Sequence, residues 1–381
     1  MNIRTSLKTS VAVAALFAVA APVVSSNPAG AGTWNSGNKN KVVMSGQIHR
    51  GLMYADDGEN SALFNTGGGT TSTRLRWIAT GQVNESVSVK GLIEMNTPTS
   101  NGVDSASLGV AGNGTNRSIS DRAWGIRHLD IKFTHKTMGS FSIGQGNTAS
   151  NGKSEMSYAG TGNTYLLGLS TGGGLDFYNT TTKTAAGVSI GDLITDFDGL
   201  SRADRIRYDL PSINGLNIGI SYVDGGSADI GGSYSAKLGS VSVKAGAQYN
   251  NTSATSTTTE DTWSVSGAAI HDSGLNVGAF YGARNSKTAN IDPTTWGVSL
   301  GYKSKLNSMG TTAFNVGYQQ VEETNNTNGD EADVIAVAVQ QEIDSVGTSL
   351  WATYQRTSYD TLGANSFDDI SVVYAGATVR F

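Results

Sequence analysis

The chain contains no cysteine, 5 prolines and 4 histidines in 381 residues. Without cysteine an exported protein has no disulfides to rely on, so backbone ladders must close its fold. Four scattered histidines and no thiol argue against a structural zinc site, and no cofactor is expected. Long hydrophobic runs are missing too. Hydrophobic residues amount to 38%, low for a helical membrane protein. The one marked apolar stretch, Val11 to Ala21, is too short to span a bilayer as a helix. Such a chain crosses a membrane only as a closed barrel, because no other strand arrangement satisfies every backbone group in lipid. Only alternate barrel residues face lipid, which suits the low hydrophobic content.

What is present at the N-terminus is an export signal. Arg4 and Lys8 precede the apolar run, and Ala29-Gly30-Ala31 offers a small-x-small cleavage site. The expected division is a signal peptide over residues 1–31 and a barrel over 32–381. Removing the signal leaves 24 bases against 31 acids, a net charge of −7, which argues against nucleic acid as a partner. At the other end, Ser371 to Phe381 alternates with period two and runs off the end of the protein. Ser371, Val373, Ala375, Ala377, Val379 and Phe381 share one face. A closing barrel strand pairs with the first strand and sets its terminal aromatic at the membrane interface, so Phe381 reads as an assembly signal.

Between the termini one unit repeats: an alternating run, a short turn, another run, a longer polar loop. The runs begin at Val42–Tyr54, Ser72–Gln82 and Val87–Met95. They continue through Arg122–Phe133, Ser140–Gly144, Asp204–Asp209 and Leu216–Tyr222. Later runs are Ser240–Asn250, Thr262–Ile270, Leu275–Arg284, Thr295–Lys303, Ala313–Val321, Asp333–Gln341 and Ser349–Arg356. Tight turns on one side and long loops on the other are the barrel pattern. The expected fold is an all-β transmembrane antiparallel barrel of about sixteen strands. Tyr222, Tyr249, Tyr281, Tyr302, Tyr318 and Tyr354 fall where girdle aromatics belong.

Three segments carry a family resemblance. Met138-Gly-Ser-Phe-Ser-Ile-Gly-Gln-Gly-Asn-Thr-Ala-Ser150 resembles the strand before the constriction loop of Gram-negative general porins. Asp198-Gly-Leu-Ser-Arg-Ala-Asp-Arg-Ile-Arg-Tyr-Asp-Leu-Pro-Ser-Ile-Asn-Gly215 resembles the element after it. Ser45-Gly-Gln-Ile-His-Arg-Gly-Leu52 resembles the first strand. Ala375 and Ala377 depart from the family, which often has bulkier residues there. The resemblance implies a homotrimer in the outer membrane, in contact with lipid and lipopolysaccharide. It implies a water-filled channel for small hydrophilic solutes and ions, and no catalysis.

The segment from Gly146 to Leu200 shows no clear long strand. A loop that long is usually functional, and the family folds it inward to narrow the pore. Its acids are Glu155, Asp176, Asp192, Asp196 and Asp198; its bases are Lys153 and Lys183. By strand parity Arg74, Arg76, Lys90, Arg205 and Arg207 face inward on the wall. Acids on the loop opposite bases on the wall would set a transverse field across the lumen, with Glu155 and Asp176 facing the four arginines. The net charge alone points to weak cation preference, although local charges outweigh the total. Arg50 and Arg127 fall on the lipid-facing parity, where an arginine costs roughly 2–4 kcal/mol. A subunit contact, a parity slip or a bulge would each account for them.

Two other functions compete with general diffusion. A substrate-specific channel would show rows of aromatic or basic residues along the lumen. An outer-membrane hydrolase would need Ser or Asp beside His in one cleft. His49, His128, His135 and His271 carry no such motif.

Overall fold

The computed structural model describes residues 32–35, 40–68, 70–96, 106–108 and 124–381, except 164, 166, 169–170, 288–290 and 324–328. The signal-peptide assignment lies outside the described residues. The chain starts with β1 (Gly32–Asn35), β2 (Lys41–Asp56), β3 (Ser61–Thr66), β4 (Arg74–Gln82), β5 (Val87–Asn96), β6 (Gly125–His135) and β7 (Gly139–Asn147). A long loop then carries the hairpin β8 (Asp176–Asn179) and β9 (Thr184–Ser189) and the single helical turn α1 (Ile190–Leu193). The wall resumes with β10 (Arg202–Asp209), β11 (Leu216–Val223), β12 (Ser227–Leu238), β13 (Val241–Asn251), β14 (Thr259–His271) and β15 (Leu275–Ser286). It ends with β16 (Thr294–Asn307), β17 (Gly310–Glu322), β18 (Glu331–Ile343), β19 (Thr348–Asp360) and β20 (Ile370–Arg380).

All wall neighbours are antiparallel, and β20 closes on β2 from Gln47↔Arg380 to Asp56↔Ser371. Eighteen strands share the sheet. β1 only flanks the start of β2. β3 and β4 occupy one wall position, pairing with the second and first halves of β2 respectively. The barrel therefore has sixteen wall strands. Between β3 and β4, Thr70 donates from Oγ1 to the Gly162 carbonyl of the long loop at 2.8 Å.

Side chains alternate as a barrel requires. On β6, Leu129, Ile131 and Phe133 are exposed on the outer face, while Asp130 and Lys132 point inward. Outward aromatics form a belt: Tyr249 pairs in register with Trp263 and Tyr281 with Trp296. Trp263 and Tyr281 pack with ring centroids 5.4 Å apart. Such rings prefer the interface, where one edge is apolar and the other wet. Phe381 exchanges two backbone bonds with Gly46, of 2.8 and 3.1 Å. A Cβ on Gly46 would lie 2.7 Å from the Phe381 ring, so glycine there makes room for the terminal aromatic.

The main apolar core lies inside the barrel. Leu175, Phe177, Ile190, Leu193 and Ile194 from the long loop pack against Met53, Val321, Val334, Trp351, Ile370, Val372 and Tyr374 of the inner wall. Burying each large apolar side chain is worth roughly 1.5–3 kcal/mol, which holds the loop in place without charge. His49, also buried, stacks on Trp351 with centroids 4.6 Å apart.

Candidate functional site

The long loop between β7 and β10 runs inside the barrel and is fastened to the wall along its length. At its root, Ala149 N–H donates to Ser221 Oγ at 2.7 Å and Ser150 N–H donates to Asp229 at 3.0 Å. Further on, four buried wall glutamines bind loop backbone. Gln248 donates to Phe197 O at 2.7 Å and Gln319 to Thr195 O at 2.8 Å. Gln340 accepts from Asn163 N–H at 3.2 Å. Gln355 accepts from Thr171 N–H at 2.8 Å and donates to its carbonyl at 3.1 Å, as a neighbouring strand would. Neutral amides suit this task, because a buried charge would need a partner.

Close approach also needs missing side chains. A Cβ on Gly231 would sit 2.0 Å from Ala149 O, and one on Gly317 would sit 2.2 Å from Tyr165 Oη. The far end of the loop is tied to the last long connection, 361–369. Thr180 N–H donates to Ser366 O at 2.8 Å and Asp368 N–H to Tyr178 O at 3.1 Å.

The bases expected on the wall divide into two groups. Arg76 donates to Glu94 at 2.6 Å, and Arg74 interacts electrostatically with Arg127, Glu94, Arg202 and Arg76. Lys90 is exposed, beside Thr80 and Lys132 in register. Arg205 and Arg207 face inward by parity, but they are not free pore bases. Arg205 is nearly fully buried, and donates to Gly144 O at 2.7 Å, Asn147 O at 3.0 Å and Asp130 at 2.5 Å. Arg207 donates to Thr148 O at 2.6 Å and to Asp209 at 2.7 Å. The Asn147 and Thr148 carbonyls, where the loop leaves the ladder, and the Gly144 carbonyl within β7 bind the two guanidinium groups, which therefore brace the loop root.

Two further arginines join the wall group. Arg127 sits at a bulge, where Glu94 pairs with His128 and Met95 with Ile126. The extra residue turns Arg127 inward, and it donates to Glu94 at 2.8 Å. Arg202 opens β10 and interacts with Arg127, Glu94, Glu155 and Asp198. Arg50 stays on the outer face, bonded to Asn65 Oδ1 at 3.0 Å.

The loop acids divide as well. Glu155, Asp196 and Asp198 converge, with carboxylate oxygens within 4.8 Å of one another. Burial, with Asp198 and Asp196 beside it, pushes the Glu155 carboxyl up to about 8. Asp198 accepts from Gly152 N–H at 2.7 Å and Ser154 N–H at 3.2 Å, and Ser154 Oγ donates to Asp196 at 2.7 Å. Asp176 and Asp192 lie elsewhere, on the hairpin and α1. Burial and then Asp192 raise the Asp176 carboxyl, and Asp192 caps α1 by accepting from Ser189 N–H at 2.9 Å.

A sequence profile of the family described as Gram-negative porin matches residues 9–362. The chain belongs to that family. This porin forms a passive-diffusion channel in the outer membrane. Solved structures of similar fold include the anion-selective porin from Comamonas acidovorans. The two share 15% identity and a TM-score of 0.58, over 90% of this porin and 100% of the other chain. A loop L8 deletion mutant of OmpT, an outer membrane protein of Vibrio cholerae, has 14% identity and a TM-score of 0.59 over 90% and 100%. Salmonella typhi OmpF in complex with daunomycin has 14% identity and a TM-score of 0.55 over 92% and 100%. At these identities the likeness is one of fold. A search of curated protein sequences gave no match.

Proposed function

We propose that the porin works as a homotrimer whose pores admit small hydrophilic solutes and ions. In each pore the narrow passage lies between the 148–201 loop and the arginine wall of β4, β6 and β10. The observation that carries this reading is the loop itself, fastened inside the barrel by wall glutamines and an apolar core. Glu155, Asp196 and Asp198 on the loop and Arg74, Arg76, Arg127 and Arg202 on the wall set the field across the passage. Lys90 lies beyond it on the same wall, and Asp176 and Asp192 stand aside.

Arg50 supports the trimer. It sits midway along β2 beside exposed Ile48, where lipid would cost roughly 2–4 kcal/mol. A second subunit over β2 and β3 would cover the Arg50–Asn65 pair. One similar structure, of in-vitro folded OmpT, is described as a trimer form.

No catalytic step enters the proposal. His135 Nδ1 accepts from Met138 N–H at 3.2 Å, and His271 Nδ1 accepts from Ser273 N–H at 3.1 Å, so both serve turns. The test is electrophoresis without heating, joined to planar-bilayer recording. A band near three times the monomer mass, with conductance closing in three steps, is expected. A monomer with single-step openings would refute the trimer.

A further inference from the structure

The loop does not fill the lumen evenly. Inward residues of β11 to β19, among them Gln248, Ser264, Thr295 and Gln319, are buried beneath it. Inward residues at the short-turn end of β4 to β6 stay open, whereas Glu94 midway along β5 is buried between its arginines. Thr80, Gln82 and Lys90 are exposed, and the Arg76 side chain is 42% exposed. A cavity of about 640 Å³ lies on this face toward the short-turn end, lined by Thr80, Gln82, Ser88, Lys90, Lys132 and Thr134. Among the described residues the open inner wall therefore runs along β4, β5 and β6.

Bases outnumber acids on that wall, where Glu94 and Asp130 are the inward carboxylates of β5 and β6 and Arg205 holds Asp130 at 2.5 Å. Arg74, Arg76 and Arg127 stand midway along it, with Glu94 as their acidic partner on the wall. Four residues further along β4, roughly 13 Å at strand rise, Thr80, Lys90 and Lys132 form one cross-strand row. Lys132 reaches Asp209 at 3.4 Å. Among the described residues no carboxylate pairs with Lys90. Register thus reveals a row of bases that strand parity alone leaves unordered.

We infer that this lane is an anion path, with Lys90 and Lys132 forming a second anion subsite between the arginine cluster and the short-turn mouth. The ligands are small inorganic or carboxylate anions. Ammonium groups in an open polar cavity attract them without a fixed coordination geometry, whereas the arginines beyond offer bidentate donors. The net charge of the whole chain does not decide this, because selectivity follows the charges that line the passage. The inference rests on the channel reading above and adds the class of solute.

Reversal potentials in a potassium chloride gradient test it, with potassium phosphate as a second salt. Chloride should be more permeant than potassium in the native trimer, most strongly at low salt where screening is least. A unit charge several ångströms from a passing ion changes the anion-to-cation ratio roughly two- to threefold in 0.1 M salt. Lys90→Gln with Lys132→Gln should therefore lower the ratio by at least about twofold, and Lys90→Arg should keep it. Inorganic phosphate should reduce chloride current in the native trimer and less in the double variant. Heat-modifiable trimers on electrophoresis show that each variant is folded. A native trimer that conducts but prefers potassium overturns the inference and leaves the channel reading standing. So does a folded double variant with an unchanged ratio. A native protein that forms no channels overturns both.

Discussion

Replacing Gly231 by alanine should dislodge the root of the long inner loop. An added Cβ would lie 2.0 Å from Ala149 O, whereas ordinary contact begins near 3.4 Å. The loop root must then withdraw by about 1.4 Å, or β12 must shift by as much. Either movement strains the bonds from Ala149 N–H to Ser221 and from Ser150 N–H to Asp229. Hydrogen bonds to a carboxylate are worth about 1.5–3 kcal/mol, and overpacking of this kind costs typically 1–3 kcal/mol. The remaining clamps keep the loop in the barrel, so its root is pushed away from β12 toward the open lane. Single-channel conductance should fall, and trimers should dissociate at lower temperature on electrophoresis. Gly232 supplies the control. A Cβ there meets nothing nearer than 3.8 Å, so Gly232→Ala should leave both readings as they are. Equal behaviour of the two variants would refute the close-packing argument.

Two other outcomes are expected. Deleting Phe381 removes the ring over Gly46 and both backbone bonds to it. Folded protein in the membrane should fall while surviving trimers conduct normally; undiminished assembly would remove the case for a terminal signal. Burial, with Asp198 and Asp196 beside it, raises the Glu155 carboxyl to about 8, so the cluster it forms with Asp196 and Asp198 should gain negative charge as pH rises through that range. Anion preference should therefore decline as pH rises through about 8. Glu155→Gln should flatten that dependence, and persistence of the full decline in the variant would exclude this carboxyl as its source.

The barrel was legible because alternation with period two survives wherever one face meets lipid, as in Leu129, Ile131 and Phe133. It fails where the chain serves the loop instead. β12 is absent from the runs read in the sequence because Gly231 and Gly232 blank its pattern, and Gly231 is glycine so that Ala149 can approach. Arg127 looked lipid-facing because one extra residue at a bulge shifts parity, and a single sequence does not show bulges. Arg205 and Arg207 were placed on the inner face by parity, yet their carbonyl partners depend on where the loop leaves the ladder. The apolar plug went unread for a different reason. Leu175, Phe177, Ile190 and Leu193 follow no strand period, and only the folded loop brings them to Trp351 and Tyr374.

The path of solutes is the claim on which the rest depends, and a protein without cysteine allows a clean test of it. Thr80→Cys places a thiol on the open wall, and Ser264→Cys places one on the inner wall beneath the loop. Each is exposed to a bulky, charged, thiol-specific reagent during single-channel recording. Rapid reaction and a stepwise loss of current are expected for Thr80→Cys, with little reaction for Ser264→Cys. Rapid block through Ser264→Cys, with Thr80→Cys unaffected, would contradict that claim.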